Sequence, residues 1–210
     1  MASGQRDSGT VRKAPSAAVA ERAEATRNAL VAAARQLFVV RGYHDTSTEE
    51  IVALAAVGTR GALYHHFADK RSLFVAVFEA VEEDLVAAAG ANLVEASPLD
   101  LLREGLLGFL DASLTPEVQR ILLIDGPAVL GWQEWRTIEA RYGLGGIQAM
   151  LELAVVDGSL PEQPLEVLAH LLLATADEAA LFIANAEDPL AARDEAVAAM
   201  DRLLTGLRSS

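Results

Sequence analysis

Arg60, Tyr64 and His65 fall within one short segment that also carries Gly61 and Ala62, and side chains of these types at this spacing suit a nucleic-acid groove. The Arg60 guanidinium can read a guanine edge through two parallel hydrogen bonds. Tyr64 and His65 can hold phosphate oxygens, and the small Gly61 and Ala62 permit close approach of the backbone. Ser47, Thr48, Thr59 and Lys70 flank the segment and extend the same chemistry, because contacts to phosphates fix register while contacts to base edges select sequence.

Two elements must position these groups. Ser47 followed three residues later by Glu50 forms a capping box, so a helix is predicted to begin at about Thr48. Ile51, Leu54 and Ala55 share one face of it, and Gly58 is read as its end because glycine turns at little steric cost. Thr59 is placed to cap a second helix from Arg60 to about His66, too short to stand alone in water and therefore packed through Leu63 and Phe67. Two short helices joined by a tight small-residue turn form a helix-turn-helix, whose second helix enters the major groove by its N-terminal part.

Residues Thr26 to about Leu85 resemble the N-terminal domain of the TetR family of bacterial transcriptional repressors. The resemblance rests on a first helix ending in phenylalanine and followed by a glycine-aromatic pair (ALVAAARQLFVVRGYHDTS), then on the closing pattern ALYHHFADKRSLF. One departure is the run Ala55, Ala56, Val57, Gly58, Thr59, one residue longer from Ile51 to Tyr64 than the family commonly has, which leaves open which of Thr59 and Arg60 faces a base. The resemblance implies an all-α protein: a three-helix DNA-binding domain, then a larger helical domain for effector binding and dimerisation.

Composition permits this reading. The chain has 210 residues, 52% of them hydrophobic, enough for a small domain and a larger one with a sizeable core. It has no cysteine, so thiolate metal sites and disulfides are excluded and a reducing cytoplasm is the expected compartment. No targeting signal is read in the polar N-terminus, and no apolar run is expected to span a membrane. The net charge of −13 opposes contact with a polyanion, but its distribution reverses that inference. Residues 1–71 hold ten Lys and Arg against seven Asp and Glu, whereas the remainder holds seven against twenty-three. The basic end would meet DNA, with an affinity that falls steeply with salt.

Along the chain, residues 1–20 read as a disordered tail in which Arg12 and Lys13 are candidate minor-groove contacts. Residues 21–69 read as the DNA-binding domain and 70–210 as the larger one. Apolar stripes predict helices over 22–41 and from Lys70 to about Ala89, with Gly90 as the stop. Turn signals then divide the rest into helices over 99–112, 117–124, 129–156, 165–186 and 190–207, with Gly143, Gly145 and Gly146 weakening the longest. The last two helices are apolar over a wide girth and must be buried on more than one side. Family resemblance implies a homodimer through them, on Leu165, Leu168, Leu172, Thr175, Val197, Met200 and Leu204.

By the same resemblance a small-molecule effector sits between helices of the larger domain, with Phe109, Trp132, Trp135, Tyr142 and His170 as candidates. Trp132 and Trp135 are three apart on one helical face flanked by Arg136, which suits either a ligand wall or core filling. His170 suits a hydrogen-bonded core or interface position as well as a ligand contact. Asp125, before Gly126 and Pro127, is read as turn chemistry. No cofactor and no metal site are implied: His65 and His66 are adjacent, so their side chains diverge by about 100°. No nucleophile or phosphate-cradling motif marks an enzyme. A helical adaptor that keeps the fold but binds protein is the alternative.

Overall fold

A computed structural model of the chain describes residues 17–91 and 96–208. Every regular element among them is helical. Helix α1 spans Ala17–Arg41, α2 Thr48–Leu54, α3 Arg60–His66 and α4 Lys70–Ala91. The larger domain continues with α5 (Pro98–Ala112), a π-helical stretch over Val118–Asp125, α6 (Gly126–Leu130), α7 (Trp132–Glu139), a second π-helical stretch over Ala140–Leu144, α8 (Gly145–Val156), α9 (Leu165–Ala184) and α10 (Pro189–Leu207).

In the small domain, α1 packs on α2, α3 and α4. Leu30, Ala34, Phe38, Ile51, Leu63, Leu73 and Phe74 are buried between them, which supplies the tertiary support that the seven-residue α2 and α3 need. The Ser47 capping box is present: Glu50 N–H donates to the serine hydroxyl, and the Glu50 carboxylate accepts from the Ser47 amide.

Several boundaries differ from expectation for identifiable reasons. Helix α1 already includes residues 17–20, read above as tail; Arg12 and Lys13 lie outside the described residues. Helix α4 runs through Gly90 to Ala91. Helix α2 stops at Leu54, and its first left-handed residue is Ala56 (φ 54°), with Gly58 (φ 88°) a second one further on. The turn between α2 and α3 thus has two left-handed positions, one of which carries a Cβ. The helix expected over 129–156 is broken at Gly131 (φ 79°). Around Gly143 the chain remains helical but widens into π geometry over Ala140–Leu144, a feature often found beside functional sites, and Gly145 opens the next α-helix.

Helix α9 is long and apolar enough to cross a membrane by length and composition, contrary to the expectation that no segment would be. In the fold it packs on α5, α8 and α10, and it carries the buried Asp177 in an ion pair with Arg136.

The two domains are joined through polar contacts as well as through α4. Arg35 of α1 grips Glu117 with Nε and Nη2 at 2.6 and 2.8 Å and also reaches Asp84 at 2.6 Å. Arg71, in the first turn of α4, pairs with Glu134 at 2.6 Å and donates to the carbonyls of Val129 and Leu130. Asp125 is buried and accepts from the Tyr43 amide at 2.7 Å and from Arg120 at 3.2 Å, so its role extends well beyond the turn.

Candidate nucleic-acid interface and ligand cavity

The exposed surface of the small domain gathers most of the residues singled out above. Arg60, Gly61, Tyr64 and His65 are exposed along α3, Ala62 is half-covered, and Ser47 and Thr59 are exposed at the two helix starts. Arg60 donates to the Tyr64 hydroxyl at 3.2 Å, lies over its ring at 5.7 Å, and pairs with Glu49 at 2.7 Å. The guanidinium pulls the Tyr64 phenol below its ordinary range, so the phenol acts as an acceptor toward Arg60 and is shaped by it. Thr59 occupies the cap position of α3 without a capping hydrogen bond from its side chain, contrary to the expected cap; its hydroxyl is left available to another partner.

Two members of the set stand apart. Thr48 is largely buried, and its hydroxyl donates to Glu49 at 3.1 Å, so it is part of the helix start more than of the open face. The Lys70 ammonium lies 4.2 Å above the Tyr43 ring, and burial lowers its pKa against the opposing pull of Asp125 and Asp45. Lys70 therefore belongs to the junction between the domains. Glu49 was not anticipated: it is an acid on the same face, and it competes for Arg60.

The larger domain holds a cavity of about 290 Å³. Its walls come from α4, α5, α7, the second π-helical stretch, α8 and α9, and they are apolar except at Glu82, Glu139 and Asp177. Phe109 and Tyr142 line it. Trp132, Trp135 and His170 do not. Trp135 is fully buried elsewhere and donates its indole N–H to the Leu122 carbonyl at 3.1 Å, so it fills the core beside Gly126 and Phe78. Trp132 is 66% exposed, and His170 lies on the outer side of α9.

The three carboxylates were not recognised in the sequence. Glu82 looks there like one more acid in an exposed acidic run, and only the packing of α4 reveals that it faces inward. Burial, reinforced by Asp177, pushes its pKa up to about 8. Burial likewise raises Glu139 and Asp177, although Arg136 pairs with both. Desolvation outweighs that single guanidinium because one cation is shared between two acids in a low-dielectric wall.

On the last two helices, Leu172, Met200 and Leu204 are turned into the protomer's own core, while Leu165, Leu168, Thr175 and Val197 are half-covered. The face left uncovered is Val167, Leu171 and Phe182 on α9 and Leu203 on α10, each more than half exposed. The stripe read from the sequence is thus mainly the inner side of α9 and α10, because both faces are apolar and periodicity alone does not distinguish them.

A three-helix head with an exposed, cationic reading helix, carried on an all-helical domain with an internal cavity, defines a helix-turn-helix regulator of transcription. Residues 30–77 match the family described as bacterial regulatory proteins, tetR family, and residues 99–207 match the tetracyclin repressor-like C-terminal domain. The chain belongs to the TetR family of transcriptional regulators. It is 30% identical over 158 residues to the transposon Tn10 TetC protein of Escherichia coli, covering 72% of this chain and 77% of that one. It is 35% identical over 106 residues to the HTH-type transcriptional repressor BepR of Brucella suis, covering 49% of each. Among solved structures, a TetR-family regulator from Pectobacterium atrosepticum superposes with a TM-score of 0.80 at 36% identity, covering 90% of this chain and 97% of that one. RolR, solved in complex with the ligand resorcinol, shares the fold with a TM-score of 0.69 at 22% identity, over 88% and 89% of the two chains.

Proposed function

We propose that the protein is a cytoplasmic, ligand-responsive repressor that binds a palindromic operator as a homodimer and is released by a small-molecule effector. The observation that carries this reading is the position of the cavity: α4 forms one of its walls and, at its other end, leads directly from the reading helix. An effector seated there acts on the rod that carries the head. Arg71 and Asp125 link that end of α4 and the Tyr43 loop to the larger domain, so a shift of the wall reaches the head through contacts already made. The coupling is bounded by the effector's difference in affinity between the two arrangements, typically about 1–3 kcal/mol.

In this reading Arg60 meets a base edge, and Tyr64, His65, Ser47 and Thr59 meet phosphates. The dimer forms through the uncovered apolar face of α9 and α10, with Leu165, Leu168, Thr175 and Val197 at its margin. A two-fold dimer presents two heads to half-sites about one turn of the duplex apart. Supporting the ligand response, RolR has been solved with a small aromatic ligand in a like fold.

The test is a titration of the protein against labelled duplex from the region flanking its own gene, repeated across salt concentrations, with sedimentation to read the oligomer. A sequence-preferring complex of two protomers per site, with affinity falling as salt rises, supports the reading. Equal binding to any duplex, or binding by a monomer, overturns it.

A further inference from the structure

Glu82 is a carboxylate placed where no protein group completes it. It is 8% exposed and lines the cavity, and among the described residues it has neither a hydrogen bond nor an ion pair. No sealed side-chain polar atom there lacks a partner, so the unbonded oxygens of Glu82 open onto the cavity. On the facing wall, Glu139 and Asp177 share the Arg136 guanidinium, which is bonded to both. The cavity wall thus carries three acidic side chains and no cation of its own, and the Arg136 guanidinium that pairs with two of them is already engaged. The remaining wall is aliphatic and aromatic, with the Phe109 and Tyr142 rings and the side chains of Leu102, Leu106, Ile147 and Met150.

We propose that this cavity selects a lipophilic monocation, an ammonium or amidinium carried on an aromatic or aliphatic body, whose charge is received by Glu82. This rests on the reading of the cavity as the effector site. Alternatives fit the wall less well. An anionic ligand finds no free cation on the wall to receive its charge. A neutral apolar ligand covers Glu82 and leaves its hydroxyl unpaired, which is costly for a buried polar group. A cation supplies the missing partner, and the Phe109 and Tyr142 rings in the same wall are groups that attract a cation over their faces.

The protonation balance follows from the surroundings. Titratable groups on the wall with Glu82 are Glu139 from α7 and Asp177 from α9, both paired with Arg136; Tyr142 is tied outward to Glu83 at 3.5 Å, and α5 and α8 line the cavity without charged groups. With its pKa up at about 8, Glu82 is mostly protonated at pH 7 in the empty cavity. Binding of a fixed cation favours the carboxylate, and the proton leaves to solvent.

The experiment compares benzyltrimethylammonium with its uncharged carbon isostere, neopentylbenzene, by calorimetry at pH 7 in two buffers of different ionisation enthalpy, using the full chain without DNA. The cation is expected to bind at least tenfold tighter than the isostere and to release close to one proton. In Glu82→Gln, an isosteric change that keeps the fold, both the preference and the proton release are expected to vanish while neopentylbenzene affinity stays within about threefold. Equal affinity for the two compounds in the wild type, or a cation preference that survives in Glu82→Gln, overturns the proposal. The calorimetry contains no operator and so tests the cavity alone; in a separate titration of the operator complex, a cation that binds with this signature but leaves the complex intact counts against the effector reading alone. Tight binding of resorcinol without proton release, and none of the ammonium, overturns the cation assignment while leaving the cavity as a ligand site.

Discussion

The backbone amide of Tyr43, in the loop between α1 and α2, donates to the carboxylate of Asp125 in the larger domain at 2.7 Å. Asp125 is 4% exposed and also receives Arg120 at 3.2 Å, while the Tyr43 ring packs on Phe38 and Phe74 and carries the Lys70 ammonium on one face. One carboxylate therefore ties the loop behind the head to the point where the first π-helical stretch meets α6. Replacing it with alanine leaves a buried amide and a guanidinium without their acceptor. Asp125→Ala is expected to lower stability by about 2–4 kcal/mol, whereas Asp125→Asn, which keeps an acceptor for Tyr43, should lose only about half of that. Thermal unfolding of the two variants checks the order.

The reading face supplies a second prediction. Arg60→Ala and Tyr64→Ala remove exposed side chains, so unfolding midpoints should stay within about 2 °C of the wild type while operator affinity falls at least about tenfold, the scale of a lost bidentate base contact. Removing Arg60 should also leave the dependence on salt shallower. Unchanged operator affinity in both variants would contradict the placement of this face on DNA.

Glu49 makes a third. It holds Arg60 at 2.7 Å in the free protein and adds an acid to the face that meets phosphates. An ion pair between two fully exposed groups is largely screened by water, so Glu49→Gln should cost little stability and should tighten operator binding by roughly two- to fivefold at low salt. Filter or anisotropy titrations at two salt concentrations measure this, and the gain should shrink at the higher one.

Local rules were legible wherever one short stretch decides the outcome. The Ser47 and Glu50 box, the start of α3 at Arg60 and the core role of Leu63 follow from residues within a few positions of one another. The head was read more completely than the cavity for that reason. Trp135 and Glu82 are decided by partners far along the chain: the Leu122 carbonyl takes the indole N–H, and Asp177 and the α5 wall enclose the acid. Helical periodicity gives an apolar stripe but not which of two apolar faces turns inward, so Leu172, Met200 and Leu204 were assigned to the outer side of α9 and α10. The break at Gly131 goes with a left-handed glycine, whereas the chain stays helical through Gly143 and Gly145, and the sequence alone does not distinguish these glycines.

The turn between α2 and α3 gives a fourth prediction. Ala56 holds φ at 54°, a conformation that is unfavourable for a residue with a Cβ by roughly 1–2 kcal/mol. Glycine relieves this but adds entropy to the unfolded chain, so the two effects partly cancel. Ala56→Gly is expected to raise stability by about 0.5–1 kcal/mol, with no loss of operator affinity, and denaturant midpoints would measure it. Gly58→Ala, at φ 88°, should act in the opposite direction even though nothing lies within 4 Å of the added Cβ, because the strain is in the backbone.

The buried acid of the cavity fixes the sign of a pH effect. Burial raises the Glu82 pKa from 4.5 to about 8, so between those values the folded protein keeps a proton that the unfolded chain has given up. Stability gained from protons bound only in the folded state falls as pH rises, and it stops falling once the folded form has also titrated. The wild type is thus expected to lose stability steadily from about pH 5 to pH 8, with Glu139 and Asp177 acting in the same direction because their pKa values are raised too. Glu82→Gln cannot ionise, so it should flatten that slope and exceed the wild type at pH 8.5 by on the order of 1–3 kcal/mol, while differing little at pH 5. Unfolding curves for both proteins across this range test the claim. Parallel curves would mean that Glu82 titrates like an exposed acid and that the cavity admits enough water to solvate it.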